Sequence, residues 1–558
     1  MKVALVTTPP SVRSGIGDYT RHLLPSLREH CEVEIFVQGG LDDPAWKGER
    51  AQLVSALDPR RFDQVLYQLG NELAHAFMPR MIRAIGGTVV QHDWVLFDLA
   101  LAAWPGLARG GAKGHALALR EGGLQQTQVY LRNWLDRRRQ RLRPEPPPDV
   151  SGIAGTLLFG WHGPEAHSRW TSDFAGLRIP GEGVEWVRFD LHLEPGRSVR
   201  IHEGGRLLTE ETTGVFELRP SQRVRPELVI ETTGIRITAD QRRHGDLRRL
   251  GSAVRSVTWR DEQGEHVLDL QQPCSVVPGM VNLSRDRFDL PLNRSVVRFA
   301  DAFIVHSQYV AERIRKERNA HTPIGILPHG SVDRWRDGDR RETRRELGLP
   351  PEWVDSCLVV SFGGVQPHKR IDKVLQALAL ARKQRGDIRL ILAGSMNASD
   401  FDPAVVARSL GLEDAVRFTG YLSEVEAWDW LHAGDFAINL RGPTSGGTSG
   451  GIFQAFSMGR SVIASDAAEQ KELPDACVVR VPVGGDEVDV LARELVALRD
   501  DPSRRDRLEA GVREYVRTEC HWRVVAKRYA DYMRSFPRAR TSRGKLIALR
   551  AGLQRSAL

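Results

Sequence analysis

Two hydrophobic patterns divide the chain. In the first, short runs apolar on both faces alternate with stretches of helical periodicity. Such runs fall at Val3–Val6, Val33–Val37, Gln64–Leu69 and Gly87–Gln91. They return within Arg298–Ser307 and at Ile324–Leu327, Cys357–Phe362, Ile388–Ala393, Ala415–Phe418, Phe436–Leu440 and Val462–Ala464. Runs of strand length without alternation predict parallel strands covered by helices on both faces. Helices are expected at Thr20–Leu27, Leu124–Arg143, from Val310, at Ile371–Arg382, Trp428–Ala433, from Ile452, and near Glu487–Leu498, Arg504–Arg517 and Tyr529–Met533. The charged run Asp333–Glu346 reads as a linker between two such α/β units.

The second pattern begins after the prolines at 144, 146, 147 and 148. Val187, Phe189, Leu191 and Leu193 alternate with Arg188, Asp190, His192 and Glu194, a period of two. Hairpin turns are expected at 203–206 and 262–265. Further strands are expected near Ser198–His202, Val215–Leu218, Leu228–Glu231, Ile235–Thr238 and Val254–Arg260. Residues 151–268 therefore read as an antiparallel β-sandwich inserted between two parts of the first α/β unit, 1–150 and 269–335. The second unit runs over 336–520. A helix in 521–538 packs back on the first unit, and 539–558 form a tail. Trp161, His162, Arg169 and Trp170 suit either sugar stacking or the core of the insertion.

Candidate chemistry sits where the apolar runs end. The run at 436–440 feeds a loop, Arg441–Gly451, made almost wholly of Gly, Ser, Thr and Pro, and then a helix. A strand, Gly-rich loop and helix in that order aim free N–H groups and the positive end of a helix dipole at one point, which suits a phosphate or diphosphate. An ordinary flexible loop is the alternative. The loop Gly363–Arg370 ends another run and carries Lys369. In the first loop, Pro9–Asp18, Gly15 and Gly17 give a G-x-G, but Thr20 stands at the third position of a dinucleotide fingerprint, which argues against a nicotinamide cofactor. Gly70-Asn71-Glu72 and His92-Asp93-Trp94 end two further runs, at the carboxyl ends where open α/β sheets place their sites.

The stretch Asp435–Asp466 reads DFAINLRGPTSGGTSGGIFQAFSMGRSVIASD. It resembles the donor-site segment of retaining glycosyltransferases of the GT-B fold, glycosyltransferase family 4. One bacterial branch reads "LRxPTxGETSG", then a helix with a second Glu, then "GxPVIxSD". Arg441, Pro443, Thr444, Gly446, Thr448, Ser449, Gly450, Gly459, Val462, Ile463, Ser465 and Asp466 match. The two family glutamates do not, since Gly447 and Gln454 stand in their places. The segments "YQLGN", His75 and "VVQHD" also resemble that branch. In the loop after 357–362 the family has an Arg and a Lys that grip the diphosphate. Lys369 matches the Lys, Gly364 occupies the Arg position, and Arg370 or Arg441 are candidates to replace it.

The resemblance implies two Rossmann-like domains facing a cleft and transfer of a sugar from a nucleotide-diphosphate donor to a glycan or lipid-linked acceptor, with retention of anomeric configuration. It implies catalytic roles for His92, Asp93 and Lys369. Donor contacts fall to Gly15, Gly17, Gly364, Arg370, Arg441, Thr448, Ser449, Gly450, Gly451 and Gln454. Acceptor contacts fall to Tyr19, Asn71 and His75. No metal or cofactor is expected, the nucleotide sugar being substrate; Asp337-Gly338-Asp339 and Asp400-Phe401-Asp402 sit in a linker and at a helix start rather than in site-like contexts. Loss of both glutamates leaves a rival reading, a degenerate GT-B module that binds nucleotide sugar or polysaccharide and assembles with partners.

Composition changes this picture little. The chain has 558 residues, 41% hydrophobic and 27% charged, as in ordinary globular protein. No run approaches the ~18 apolar residues of a membrane span, and the apolar start at Met1 is too short for a signal peptide. Five dispersed cysteines fit a reducing cytoplasm. The net charge of +8 is concentrated at the end, where Arg534, Arg538, Arg540, Arg543, Lys545, Arg550 and Arg555 follow the last acidic residue, Asp531. Such a tail suits peripheral contact with anionic lipid, or is simply solvated. No nucleic-acid partner is expected.

Overall fold

The computed structural model describes all residues except 11, 13, 14, 42, 44, 45, 47, 143–156, 166, 204, 205, 235–249, 272–285, 337, 396–402, 485 and 537–558. The proline cluster, the basic tail, Cys274, the strand expected at 235–238 and the Asp400–Asp402 motif lie wholly or partly outside the described residues.

The two-sided apolar runs become parallel strands. In the first unit these are β1 (Lys2–Val6), β2 (Glu32–Val37), β3 (Ala51–Leu53), β4 (Gln64–Leu69) and β5 (Thr88–Gln91). Among the described residues the chain then makes nine antiparallel strands: β6 (Leu157–Pro164), β7 (Arg169–Arg178), β8 (Trp186–His192), β9 (Val199–Glu203), β10 (Arg206–Glu211), β11 (Val215–Leu218), β12 (Glu227–Thr232), β13 (Ala253–Asp261) and β14 (Gly264–Val267). It returns with β15 (Ala302–Val305) and β16 (Ile324–Ile326). The parallel order is β16-β15-β5-β4-β1-β2-β3, so β15 lies directly beside β5 despite the long excursion between them. The second unit contains β17 (Cys357–Phe362), β18 (Ile388–Ala393), β19 (Val416–Gly420), β20 (Phe436–Asn439), β21 (Val462–Ser465) and β22 (Val478–Val481), in the order β19-β18-β17-β20-β21-β22. Both sheets are doubly wound, with the order reversing between β1 and β4 and between β17 and β20. This is the GT-B architecture.

The excursion has its own core. Trp161, Ala175 and Leu177 on one part share it with Val187, Phe189, Leu191 and Val257 on the other, and every buried member lies within 157–270. The expected sandwich is one hydrogen-bonded path, β10-β9-β12-β7-β13-β8-β11, whose halves join where Trp170 pairs with Ala253 and Arg169 with Val254, extended by the backbone bonds of Thr171 to Ser252 and Gly251. Trp161 is fully buried and donates its indole N–H to the Gly176 carbonyl at 2.7 Å. Arg169 is buried against the carbonyls of His162 and Leu270. Of the candidates for sugar stacking, these two serve the core.

Several boundaries differ from expectation; the helix expected at Trp428–Ala433, for one, begins at Glu424. The first helix spans Gly15–Arg28, starting five residues before the expected Thr20 and burying Ile16 and Tyr19 as well. The span Gly111–Leu142 is two helices that meet at Gly123, where φ is 72°, so the helix expected from Leu124 is preceded by one that the pattern did not give. Part of the expected linker is a helix, Arg340–Glu346, because Arg344 is drawn inside by the carbonyls of Ala433, Val354 and Ser356 and by Asp435. Asp339 caps that helix through the backbone N–H of Arg341.

The helix Trp522–Arg534 contains the expected Tyr529–Met533, begins seven residues earlier and packs on the first helix. Val525, Ala526, Ala530 and Met533 share a core with Leu23, Leu24 and Leu27, and the hydroxyls of Tyr19 and Tyr529 meet at 2.7 Å. The chain thus crosses between the units twice. The crossings touch where Ser331 N–H donates to Cys520 O at 2.7 Å and Trp522 N–H donates to Ser331 O at 3.1 Å. No described helix is long and apolar enough to span a membrane. Cys31, Cys357, Cys477 and Cys520 are buried free thiols.

Candidate functional site

The strand order of the second unit fixes where its site must form. Loops after β17 and β20 leave the sheet in opposite directions, and the crevice between them is the usual ligand position in doubly wound folds. Gly363 turns the first loop with φ 103°, and a Cβ there would lie 2.6 Å from Lys369 Nζ, so the lysine folds over the end of β17. Burial, and then the charge of Arg441, lower the Lys369 pKa to about 7. In the second loop, Arg441 is held by its backbone N–H on Ser465 Oγ at 2.8 Å. Its guanidinium reaches His368 Nε2 at 2.9 Å and donates to Ser449 Oγ at 3.0 Å.

That last contact matters for the helix Gly450–Ser457. Ser449 is its N-cap residue, yet the hydroxyl serves Arg441 and makes no capping bond. The helix start is left without a side-chain cap, and a Cβ on Gly450 would meet no atom within 4 Å. Gly451 packs tightly instead, 3.0 Å from Phe362 O to its would-be Cβ. Two cations and an open helix N-terminus therefore converge on one crevice. Thr448 is half-buried in the same loop.

The facing loops of the first unit have different chemistry. Asp93 accepts from Asn71 N–H at 3.0 Å and from Ser445 Oγ of the opposite unit at 2.8 Å, and burial raises its pKa. His92 bonds Gln68 at 2.8 Å and His306 at 3.2 Å, and His306 donates to Leu327 O. The Tyr19 ring meets His92 edge-on, with centroids 4.6 Å apart. His329 lies over Phe453, 4.7 Å between centroids. Burial pushes His92 well below the ordinary histidine value, His306 to about 4 and His329 to about 3, so the cluster is neutral at pH 7.

Several predicted residues are committed elsewhere. Tyr19 is buried and tied to Tyr529, and His75 is fully buried against the backbone of Gly70, so neither offers a free polar face to an acceptor. The Asn71 side chain caps the helix Phe97–Ala103, accepting from the N–H groups of Asp98 at 2.7 Å and Leu99 at 3.2 Å. Gly15 and Gly17 lie inside the first helix rather than in a phosphate loop. A Cβ at Gly17 would meet Pro9 and Pro10 at 3.1 Å, so this glycine serves packing. Arg370 makes a bidentate pair with Glu487, which leaves Arg441 as the second cation of the crevice. Gly364 leaves room where the family has its Arg, with Ser395 Oγ the nearest atom at 3.7 Å. Gln454 accepts from Trp428 Nε1 at 3.0 Å.

The structure adds residues that sequence reasoning missed. Glu469 is buried, raised in pKa by that burial, and accepts from Thr444 Oγ1 at 2.8 Å. Its signal was an acid just past the Ser465-Asp466 strand end. Glu424 receives Arg21 at 2.7 Å and His22 at 2.6 Å from the other unit. Glu472 accepts from the N–H groups of Gln308 and Tyr309, capping a helix of the other unit. With Val95 N–H on Ser445 O at 2.9 Å, these contacts hold the cleft closed. Among the described residues, no group of three or more His, Cys, Asp or Glu is arranged to hold a metal ion.

Residues 356–501, which contain this crevice, match the family model described as Glycosyl transferases group 1. The chain is similar to a GDP-mannose-dependent monoacylated alpha-(1-6)-phosphatidylinositol monomannoside mannosyltransferase of Corynebacterium glutamicum, with 27% identity over 44% of this chain and 65% of that one. It is also similar to D-inositol 3-phosphate glycosyltransferase 2 of Catenulispora acidiphila, with 34% identity over 20% of this chain and 28% of that one. In both cases the match spans less than two thirds of the relative. Among solved structures, Anabaena Alr3699/HepE in complex with UDP and glucose aligns with TM-score 0.38 and 19% identity over 43% of this chain and 65% of that one.

Proposed function

We propose that the chain is a retaining glycosyltransferase that moves a sugar from a nucleoside-diphosphate donor to a glycan or lipid-linked acceptor. The observation that carries this reading is the convergence of Lys369, Arg441 and the uncapped start of the helix Gly450–Ser457, inside the segment that matches the glycosyltransferase model. As the bond from the anomeric carbon to phosphate oxygen breaks, the electron pair stays on the diphosphate. The acceptor hydroxyl bonds the same carbon from the same face, and its proton passes to the departing phosphate oxygen. Stabilising the charge that gathers on the diphosphate is the main electrostatic task. Two cations and helix N–H groups are suited to it, so turnover is expected to persist in chelator.

The test is a calorimetric titration with UDP, GDP and their sugar conjugates, followed by turnover of whichever donor binds. Failure of every nucleoside diphosphate to bind would end the reading. A second reading, a binding module without turnover, draws on two observations. Gly447 has no side chain, and the Gln454 carbonyl is turned to Trp428. Binding without turnover would favour it.

A further inference from the structure

We propose that Asp93, from the N-terminal unit, supplies the carboxylate that accepts hydrogen bonds from the donor sugar, seated in the space a side chain at 447 would fill. Gly447 and Asp93 are then a matched pair. The proposal rests on the glycosyltransferase reading above and deepens it.

The geometry is specific. A Cβ built on Gly447 would lie 2.1 Å from Asp93 Oδ1, 3.1 Å from its Cγ and 3.2 Å from His92 O. No residue larger than glycine fits while Asp93 holds its place. Gly447 is not in the left-handed region, so space and not backbone conformation requires it. Asp93 is gripped from both sides of the cleft. Asn71 N–H holds Oδ2 from its own unit, and Ser445 Oγ holds Oδ1 from the loop that contains Gly447. Asn71 is itself fixed by the helix it caps, so the carboxylate is oriented before any ligand arrives.

The consequence is that the loop Arg441–Gly451 carries its cation itself but borrows its anion from the opposite unit. Diphosphate recognition belongs to one unit. Recognition of the sugar is complete only when the cleft is closed, because only then does Asp93 lie against the loop. A purely structural latch would use the same hydrogen bonds, and the two roles part on one readout. A latch affects nucleoside diphosphate and nucleotide sugar alike, whereas a sugar contact affects the conjugate alone.

The experiment compares the full chain with Asp93→Ala, Gly447→Glu and the double variant. Affinities for UDP and UDP-glucose, and for GDP and GDP-mannose, are measured by calorimetry, alongside initial rates of donor turnover. Asp93→Ala should leave diphosphate affinity unchanged within about twofold and weaken the sugar conjugate by about tenfold or more, as expected for loss of a charge-assisted hydrogen bond. The double variant should turn over donor at least about tenfold faster than either single variant, because the new carboxylate enters the space vacated by the old. Equal losses for diphosphate and conjugate, or a double variant no better than the singles, would overturn the proposal. Hydrogen exchange without ligand adds an independent check. Gly447→Glu should speed exchange in 92–95 and 441–449, and adding Asp93→Ala should slow it again. Absence of both changes would refute the matched pair even for a protein that binds no nucleotide, an outcome that would separately refute the glycosyltransferase reading.

Discussion

The two parallel sheets are wound alike, yet the crevices at their switch points use opposite means. In the C-terminal unit, charge is kept and paired. Arg344 is buried on Asp435 and Arg460 on Glu509, the half-buried Arg370 is paired with the buried Glu487, and Lys369 and Arg441 remain for the crevice. In the N-terminal unit, charge is largely suppressed. His75, His92, His306 and His329 are held neutral by burial, and Asp93, whose pKa burial also raises, is shared with the other unit. The scaffold fixes where a site forms, and desolvation decides which sign of charge survives there. A diphosphate has one favourable side of this cleft.

The strongest break of that contrast is removal of a buried partner. Asp435→Ala leaves Arg344 inside the C-terminal unit with carbonyls but no counter-charge. We expect a loss of about 3–5 kcal/mol, read as a fall in the denaturant midpoint at unchanged m-value. A loss below about 1 kcal/mol would place the pair among weak surface bridges.

Acid should break the other side. The cluster histidines have folded pKa values below the unfolded value near 6.5, to about 4 for His306 and about 3 for His329. Between those limits the unfolded chain takes up protons the native state refuses, so stability is full above about pH 6.5 and declines toward pH 4. Over that window we expect a loss of a few kcal/mol. Hydrogen exchange at pH 5 should locate it in the N-terminal sheet first. First loosening in the C-terminal sheet would contradict the division.

Lys369→Met sharpens the contrast from the functional side. It should weaken nucleoside-diphosphate binding by about 1.5–3 kcal/mol with the fold intact. In the unaltered protein, a lysine near pKa 7 must be protonated to hold the anion. Affinity should therefore fall as pH rises from 7 to 9, and calorimetry in buffers of different ionisation heat should register proton uptake on binding at pH 7.5. No uptake would place the ammonium outside the binding step.

The smallest expected effect belongs to the excursion. Among the described residues its core draws on none buried outside 157–270, and β5 and β15 pair beside each other across it. Replacing residues 151–268 with a short Gly/Ser linker should leave diphosphate affinity unchanged and the protein soluble. An insoluble or nucleotide-blind product would mean the parallel sheet depends on it.

Much of this was legible in the chain. Ile371–Arg382 and Gln64–Leu69 begin and end where their patterns place them, because each has strong apolar periodicity or two-sided burial. Lys369, Arg441 and Ser449 were singled out by the resemblance to a glycosyltransferase donor segment, and the structure places Arg441 on the Ser449 hydroxyl and Lys369 at the end of the neighbouring strand. What was not legible depended on contacts far apart in sequence. Nothing around Tyr19 announces Tyr529, and nothing at Arg370 announces Glu487. The start of the first helix was missed because Gly15 and Gly17 resemble a loop by composition, while Pro9 and Pro10, 3.1 Å from a would-be Cβ, crowd position 17. Gly447 was the clearest departure from the family, and its explanation lay at residue 93.

The twin crossings at Ser331 and Cys520–Trp522 have a mechanical corollary. A single linker is a tether and lets two bodies swivel freely. Two strands of chain bonded side by side act as the pin of a door, stiff against twisting and sliding and compliant mainly about one axis. Gly330 strengthens the pin, since the Trp522 ring occupies the space a side chain there would need, with its nearest atom 2.2 Å from the would-be Cβ. The latches lie elsewhere, at Asp93 with Ser445, at Glu472 with the helix Gln308–Glu317, and at Glu424 with Arg21 and His22. Opening and shutting then share one swing, and each return brings the same carboxylate back to the same loop.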